Sequence, residues 1–595
     1  MDRFNLFICF FLLMVVAIIT VGARLGVRRF AAAPDQVSGV VLALGLAVGA
    51  LILSLYATAV LGGYNLATAL ANVLAAVVVL ALIAAVAAMI RRCVAAPDQP
   101  LGMASSLALS AGGLALTLFA FAALGWIGFR GAKGNPPLFR WWFLPVLVWV
   151  AAAFLIALAG RRVRAPQPPA ETSTPRSWWP MLPAIALLVW AAGFDLLKCF
   201  EPRFEADALW YHLTLPYQWV TEHSLRGFPG WVTDHTVQAD SASAVAGYPL
   251  LVEMIYTIPV SHLLPFATRV IHLAFGLGVV AAIYGFCRTG GQPVPLALAF
   301  GAAFFLFDSV NEVAAWAHTD LARTFFLVTA AATLAAYATS RRRRDLVVAA
   351  LIAGLALSTH YMALVFGNGL LTIAFVVTML RGRTPARQIA CDLAIFWIIS
   401  LAVFSPWPLK NFVLYGHPFY GLAGSNFRIP SLQLAGHFFG INAGLLGVFG
   451  FIIVAWFLTE RSVEVVLWGL AASIVASPLV GFALVAVWVF ARGESHPGER
   501  LLALYLLAYL VVGPFEVPPI LRFFLPVHAI GLMLTGRALA PLLERHRRLE
   551  IAFPLVLLTL AVATVLYQWH NHLFDSSFDF LLRSSPPESA VIWHQ

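Results

Sequence analysis

Apolar runs of roughly 20 residues, the length a helix needs to cross a bilayer at ~1.5 Å per residue, recur along nearly the whole chain; 42–61, 66–89 and 551–567 are three of them. Of 595 residues, 61% are hydrophobic and 11% charged, whereas a soluble domain keeps about a quarter of its residues charged to face water. The outer surface of such a chain is expected to face hydrocarbon, which charged side chains avoid. The fold class that follows is an all-α polytopic membrane protein. The first run, 4–21, lacks a small-residue cleavage site in good context and reads as a retained helix more than a signal peptide.

The formal charge of +10 does not point to nucleic acid. The basic residues sit in short loops between apolar runs, where they encode topology by cytoplasmic retention of Lys and Arg. Clusters at Arg24/Arg28/Arg29, Arg91/Arg92, Arg161/Arg162/Arg164, Arg341 to Arg344, Arg381/Arg383/Arg387 and Arg545/Arg547/Arg548 are all placed on the cytoplasmic side by counting spans. The N-terminus and the loops at 201–247, 312–320 and 407–430 then lie outside. The segment 129–140, with Arg130, Lys133 and Arg140, falls outside against the rule. The cysteines Cys9, Cys93, Cys199, Cys287 and Cys391 form no CxxC pair or Cys/His cluster, which argues against a disulfide framework or a zinc site.

Three regions follow. Residues 1–160 hold five bland Ala/Val/Leu/Gly spans, 161–177 form a Pro/Ser/Thr/Arg linker, and 178–570 carry the remaining spans and almost every polar residue of interest. Residues 571–595 read as an extracytoplasmic tail, and the stretch 431–491 needs an odd number of crossings. No internal repeat is visible.

Three outer loops gather acids and aromatics on one face. FEADALWYHLTLPYQWV, at 204–220, supplies Glu205, Asp207, Tyr211 and His212. Two carboxylates two residues apart can aim at one site, as a general base, as ligands to a divalent cation such as Mg²⁺ or Mn²⁺, or both; equally, acids at a helix N-terminus meet its dipole. EVAAWAHTDLARTFF, at 312–326, supplies His318 and Asp320, the latter where an N-cap belongs. SPWPLKNFVLYGHPFYG, at 405–421, supplies Trp407, Lys410, Asn411 and His417, with Trp407 at the depth of an interfacial aromatic belt. His360 and Tyr361 interrupt the apolar stretch 346–380 midway between two Arg clusters, so they mark an outer turn. Arg522 precedes the span that starts at Phe523; it is suited to phosphate oxygens by its fork of donors or to snorkelling at the interface. Carboxylates, cations and aromatics at one membrane boundary suit an amphiphilic substrate, with its phosphate near Lys410 or Arg522, its chain between helices and its polar part in the loops.

With these motifs in order, residues 180–570 resemble the GT-C superfamily of polytopic glycosyltransferases. They are similar to the family 39, protein O-mannosyltransferase and aminoarabinose transferase types. The likeness rests on Glu205-Ala206-Asp207 with Tyr211-His212, on Tyr248, Pro249 and Glu253, on Asp320, on PWPLKN and GHPFY, and on Arg522-Phe523-Phe524-Leu525-Pro526. It implies a GT-C-like helical core with extra N-terminal transmembrane helices. It further implies inverting sugar transfer from a polyprenyl-phosphate donor to a polysaccharide, lipid or protein acceptor, outside a bacterial inner membrane. Asp207 would be the general base, Asp320 and Glu205 supporting acids, and Arg522 or Lys410 a phosphate contact; Tyr211, His212, His318, His360, Tyr361 and Asn411 would complete the substrate site. Glu205 and Asp207 are the candidate metal ligands, although the family includes members that need no metal. The chain departs from the pattern at His360 (commonly Lys), His417 (Asn), Lys410 (Arg) and Phe523 (Tyr), which bears on donor identity more than on reaction class.

The competing reading is a transporter or flippase of lipid-linked saccharides. Transporters place ionisable groups near the bilayer midplane, often in paired repeats. Here Asp195 and Glu253, the main acids within apolar sequence, lie near the outer end. The aromatic, Gly- and Pro-rich loop 201–247 is expected to cover the site and exclude water, since hydrolysis competes with transfer.

Overall fold

In the computed structural model the described residues are 102–123, 181–199, most of 204–225, 245–261, 264–420, 478–492, 495–516, 521–545, 549–570, and scattered positions at 75–87 and 148. The span 42–61, most of 66–89, the segment 129–140, the linker 161–177, the stretch 431–477, loop residues 226–244 and the tail 571–595 lie outside them. Among the described residues 87% are helical and none lies in a strand.

The helices, in chain order, are α1 (Gly102–Ala123), α2 (Leu182–Lys198), α3 (Thr214–Glu222), α4 (Leu251–Ser261), α5 (Pro265–Thr289), α6 (Val294–Ala302), α7 (Asp308–Val313) and α8 (Asp320–Ser340). They continue with α9 (Arg343–Thr359), α10 (Leu370–Arg381), α11 (Ala386–Phe404), α12 (Pro406–Tyr415), α13 (Pro478–Ala491), α14 (Pro497–Glu516), α15 (Leu525–Arg545) and α16 (Leu549–His570). Prolines begin several of them: Pro265, Pro406 and Pro497 stand at first helical positions, where the missing N–H has no intrahelical partner to lose. Six helices among the described residues are long and apolar enough to cross a membrane: Gly102–Ala120, Pro265–Thr289, Asp320–Ser340, Ala363–Arg381, Ala386–Phe404 and Arg522–Ala540.

The helix α8 is the centre of the assembly. Its apolar window is 94% buried, against 28% for the peripheral α11. At ~1.5 Å per residue its length is about 30 Å, the thickness of a hydrocarbon core. It packs on α5, α9 and α14. Lateral approach is close where side chains are small: a Cβ on Gly354 of α9 would lie 2.6 Å from Val403 Cβ on α11. From the N-terminal region, α1 enters the same core, with Ser105 Oγ 3.2 Å from Thr333 Oγ1 of α8 and the Phe119 ring 4.7 Å from that of Trp407.

The two ends of this bundle differ chemically. The starts of α5, α8 and α15 carry Arg269 and His272, Asp320 and Arg323, and, in the 3₁₀ turn Leu521–Phe524 just before α15, Arg522. Opposite them are the arginine-rich turns at 341–344 and 381–387, where α8 and α10 finish.

Candidate active site

The acidic loop 204–213 folds into one π-turn, Ala208–His212, closed by the Leu213 N–H donating to the Ala208 carbonyl at 2.9 Å. A π-turn widens the helix and recurs at functional sites. Asp207 immediately precedes it and makes no capping hydrogen bond. Its carboxylate instead accepts from Arg522, Nη2 to Oδ2 2.8 Å. A residue near the start of the chain's polar half is thus held by one near its end, the two separated by 315 positions.

Arg522 joins three groups. Besides Asp207, its Nε lies 4.0 Å from Asp320 Oδ2 and its Nη1 3.4 Å from His318 Nδ1. Asp320 is the first residue of α8, one past the N-cap, Thr319, and no capping side-chain bond is made there. The capping reading that its position allowed is therefore not the one taken: Asp320 Oδ1 accepts from Arg323 Nη2 at 3.0 Å, and Oδ2 lies 3.4 Å from His318 Nδ1. Both members of the Asp320–Arg323 pair are nearly sequestered from solvent, and such pairing offsets a burial cost of several kcal/mol per ion. His318 is fixed further by Tyr256, whose hydroxyl donates to its carbonyl at 2.6 Å. Whichever of Arg522 and Asp320 its Nδ1 serves, His318 Nε2 is buried with no hydrogen-bond partner among the described residues.

Beneath this cluster lies a buried imidazole–carboxylate pair. His212 Nδ1 is 2.7 Å from Glu253 Oε1, with side chains 3% and 1% exposed. Tyr211 stacks on His212 at 3.9 Å between rings, and His318 lies 4.9 Å away on that ring. Burial first, and then the neighbouring His318, push the His212 imidazole well below its ordinary range, so it stands neutral. Burial likewise raises the Tyr211 hydroxyl, with Glu253 and Asp207 adding to it.

Glu205 takes a different partner from Asp207. It pairs with Arg269 of α5, Nη2 to Oε1 3.2 Å, and Arg269 also lies 4.0 Å over the Phe204 ring. Each carboxylate of the Glu-x-Asp motif therefore has its own guanidinium, and a divalent cation bridging them would have to displace both. The described residues contain no group of three His, Cys, Asp or Glu able to hold a metal ion.

The third motif serves the backbone. Lys410 Nζ donates to the Ala246 carbonyl at 2.7 Å and Asn411 Nδ2 to the Gly247 carbonyl at 2.7 Å. Tyr361 donates its hydroxyl to the same Gly247 oxygen at 3.0 Å. These three side chains, assigned to substrate by sequence, clamp the point where the 201–247 loop enters α4. Burial lowers the Lys410 amine to about 7, with Glu253 opposing. His360 does end α9 at the expected turn, and its Nδ1 accepts the Met362 N–H at 3.1 Å; burial lowers its imidazole to about 3, with Arg323 adding to the shift.

Sequence reading passed over Arg269, His272, Arg323 and the pairing of Glu253. The signal was present: Arg269, His272 and Arg323 are ionisable groups inside apolar runs, a pattern that marks functional or paired positions. His272 accepts the Leu321 N–H at 3.1 Å and so holds the start of α8. Compared with models of known protein families and with curated proteins, the chain matches none.

Proposed function

We propose that this chain is a multi-pass membrane glycosyltransferase of GT-C type. In this reading it moves a sugar from a polyprenyl-phosphate donor to an acceptor hydroxyl at the extracytoplasmic face of a bacterial inner membrane. The observation that carries the reading is the Asp207–Arg522 contact at 2.8 Å, with Asp320 and His318 against the same guanidinium. A candidate base and a candidate phosphate holder are in contact, half-buried, at one end of the helices.

The chemistry follows from that contact. A phosphate oxygen is a better partner for a guanidinium fork than a single carboxylate oxygen. Donor phosphate engaging Arg522 competes with Asp207 and releases its Oδ2. Asp207 then takes the proton from the acceptor hydroxyl while that oxygen bonds to the anomeric carbon. The bond from that carbon to the phosphate oxygen breaks on the opposite face, so the configuration inverts and polyprenyl phosphate departs. Asp320, held by Arg323, keeps Arg522 in place during the exchange, and His318 Nε2 is left to meet a substrate oxygen. The nearby His212–Glu253 pair orients the π-turn that carries Asp207.

The test is transfer from a panel of radiolabelled polyprenyl-phosphate sugars by purified wild type beside Asp207→Asn, with and without Mg²⁺ or Mn²⁺. Consumption of one donor by wild type alone, with Asp207→Asn slowed at least ~100-fold, is the expected result. Equal rates for the two proteins would remove Asp207 as base. No consumption of any donor, even with membrane extract as acceptor, would favour translocation of a lipid-linked saccharide.

A further inference from the structure

The end of the bundle opposite the acidic cluster has its own concentration of charge. Two helices start there side by side. Ser400 Oγ of α11 donates to the Ala350 carbonyl of α9 at 2.9 Å, and Ser358 Oγ of α9 lies 3.4 Å from the Val403 carbonyl. Position rises along both helices together, so α9 and α11 run parallel. The turns leading into them are tied by Arg341, whose Nη2 donates to Thr384 Oγ1 at 3.1 Å.

Both turns are crowded with guanidinium groups. Arg342, Arg343, Arg344, Arg381, Arg383 and Arg387 are exposed, and no ion pair is made by any of them among the described residues. Of the acids at this end, Asp392 accepts from Tyr337 and Glu499 pairs with Arg537, while Asp345 accepts from Ser340 and its charge also acts on the adjacent Arg344. Cytoplasmic retention asks only that basic residues be present, not that the two turns carrying them be tied to each other. Arg343, Arg344 and Arg387 stand in the first turns of α9 and α11 and oppose their dipoles, a conflict that an anion relieves, whereas Arg381 ends α10, where a cation is favoured.

We propose that the turns 341–344 and 381–387 together bind the phosphate of an anionic phospholipid headgroup. The inference rests on the membrane reading above. Arg forks match phosphate oxygens in pairs. The surroundings select a lipid over a soluble anion: Leu380, next to Arg381, is 55% exposed and Val347, one turn into α9, is 37% exposed. Apolar side chains beside the guanidiniums are placed to receive acyl chains as the headgroup is held, the arrangement of basic headgroup pockets between membrane helices.

The full chain in phosphatidylcholine nanodiscs, titrated with short-chain phosphatidylglycerol or phosphatidylcholine and read by native mass spectrometry, tests this. Wild type is expected to bind phosphatidylglycerol about tenfold or more tightly than phosphatidylcholine. A triple Arg343→Lys, Arg383→Lys, Arg387→Lys variant keeps the charge that orients the chain but loses the forks, and should lose most of that preference. Equal affinity for the two lipids in wild type, or full retention of the preference in the triple Lys variant, would overturn the site. Displacement of the lipid by inorganic phosphate at equal concentration would overturn the assignment to a lipid. A chain that never enters nanodiscs refutes the membrane reading itself, which is a distinct outcome.

Discussion

The side chains that matter most in this protein are those whose partners were not the expected ones. Lys410 was assigned to phosphate, but its buried amine holds the Ala246 carbonyl. Burial brings its folded-state value down to about 7, while an unfolded chain holds the proton to about 10.4. Between those limits the unfolded state binds more protons, so stability rises with pH from about 7 toward 10. Thermal unfolding in detergent should show that rise in wild type, and Lys410→Gln should flatten it; an unchanged slope would contradict the burial argument. His212 and Glu253 form the other such pair. Glu253→Leu leaves a buried imidazole without its partner and should cost ~1–3 kcal/mol of unfolding free energy, measured by denaturant titration. Replacing both members by apolar residues should recover part of that loss, because an unsatisfied group costs more than an absent one.

At the scale of elements, close helix approach and short turns place these side chains. The parallel pair α9 and α11 meets at Gly354, where any Cβ would sit 2.6 Å from Val403 Cβ and 2.7 Å from the Ser400 carbonyl. Gly354→Leu should push the helices apart and destabilise by ~1–3 kcal/mol. A loss of folded protein in detergent, seen as a lower thermal midpoint, checks this; an unchanged midpoint would mean the helices separate freely. The π-turn 208–212 is the second decisive element. A regular α-turn here would shift His212 relative to Asp207, so local winding determines that one residue reaches Glu253 while the other reaches Arg522. Apolar periodicity reads an α-helix and a π-turn alike, and nothing in FEADALWYH announces the wider winding. The turn at His360 was legible because a polar pair interrupts an otherwise unbroken apolar stretch between two Arg clusters.

For the whole molecule, the separation of an acidic, aromatic end from an arginine-bearing end is the organising fact, and under the membrane reading it predicts sidedness. His417 is exposed beside the clamp and Arg383 is exposed at the opposite end. In intact cells a membrane-impermeant maleimide should label His417→Cys, and should label Arg383→Cys only after permeabilisation. Labelling of both in intact cells would refute the assigned orientation. By itself the sequence determined the helical class, the presence of helices long and apolar enough to cross a membrane, the turn at 360 and the gathering of polar motifs toward one end. All of these follow from local apolar pattern and from where charge is tolerated. Only the tertiary structure decided that Arg522 meets Asp207, that Glu205 turns to Arg269, that Glu253 meets His212, and that Lys410, Asn411 and Tyr361 hold backbone. A buried charge takes whichever partner the packing of distant helices brings within hydrogen-bond reach, and no local pattern records which helix that is.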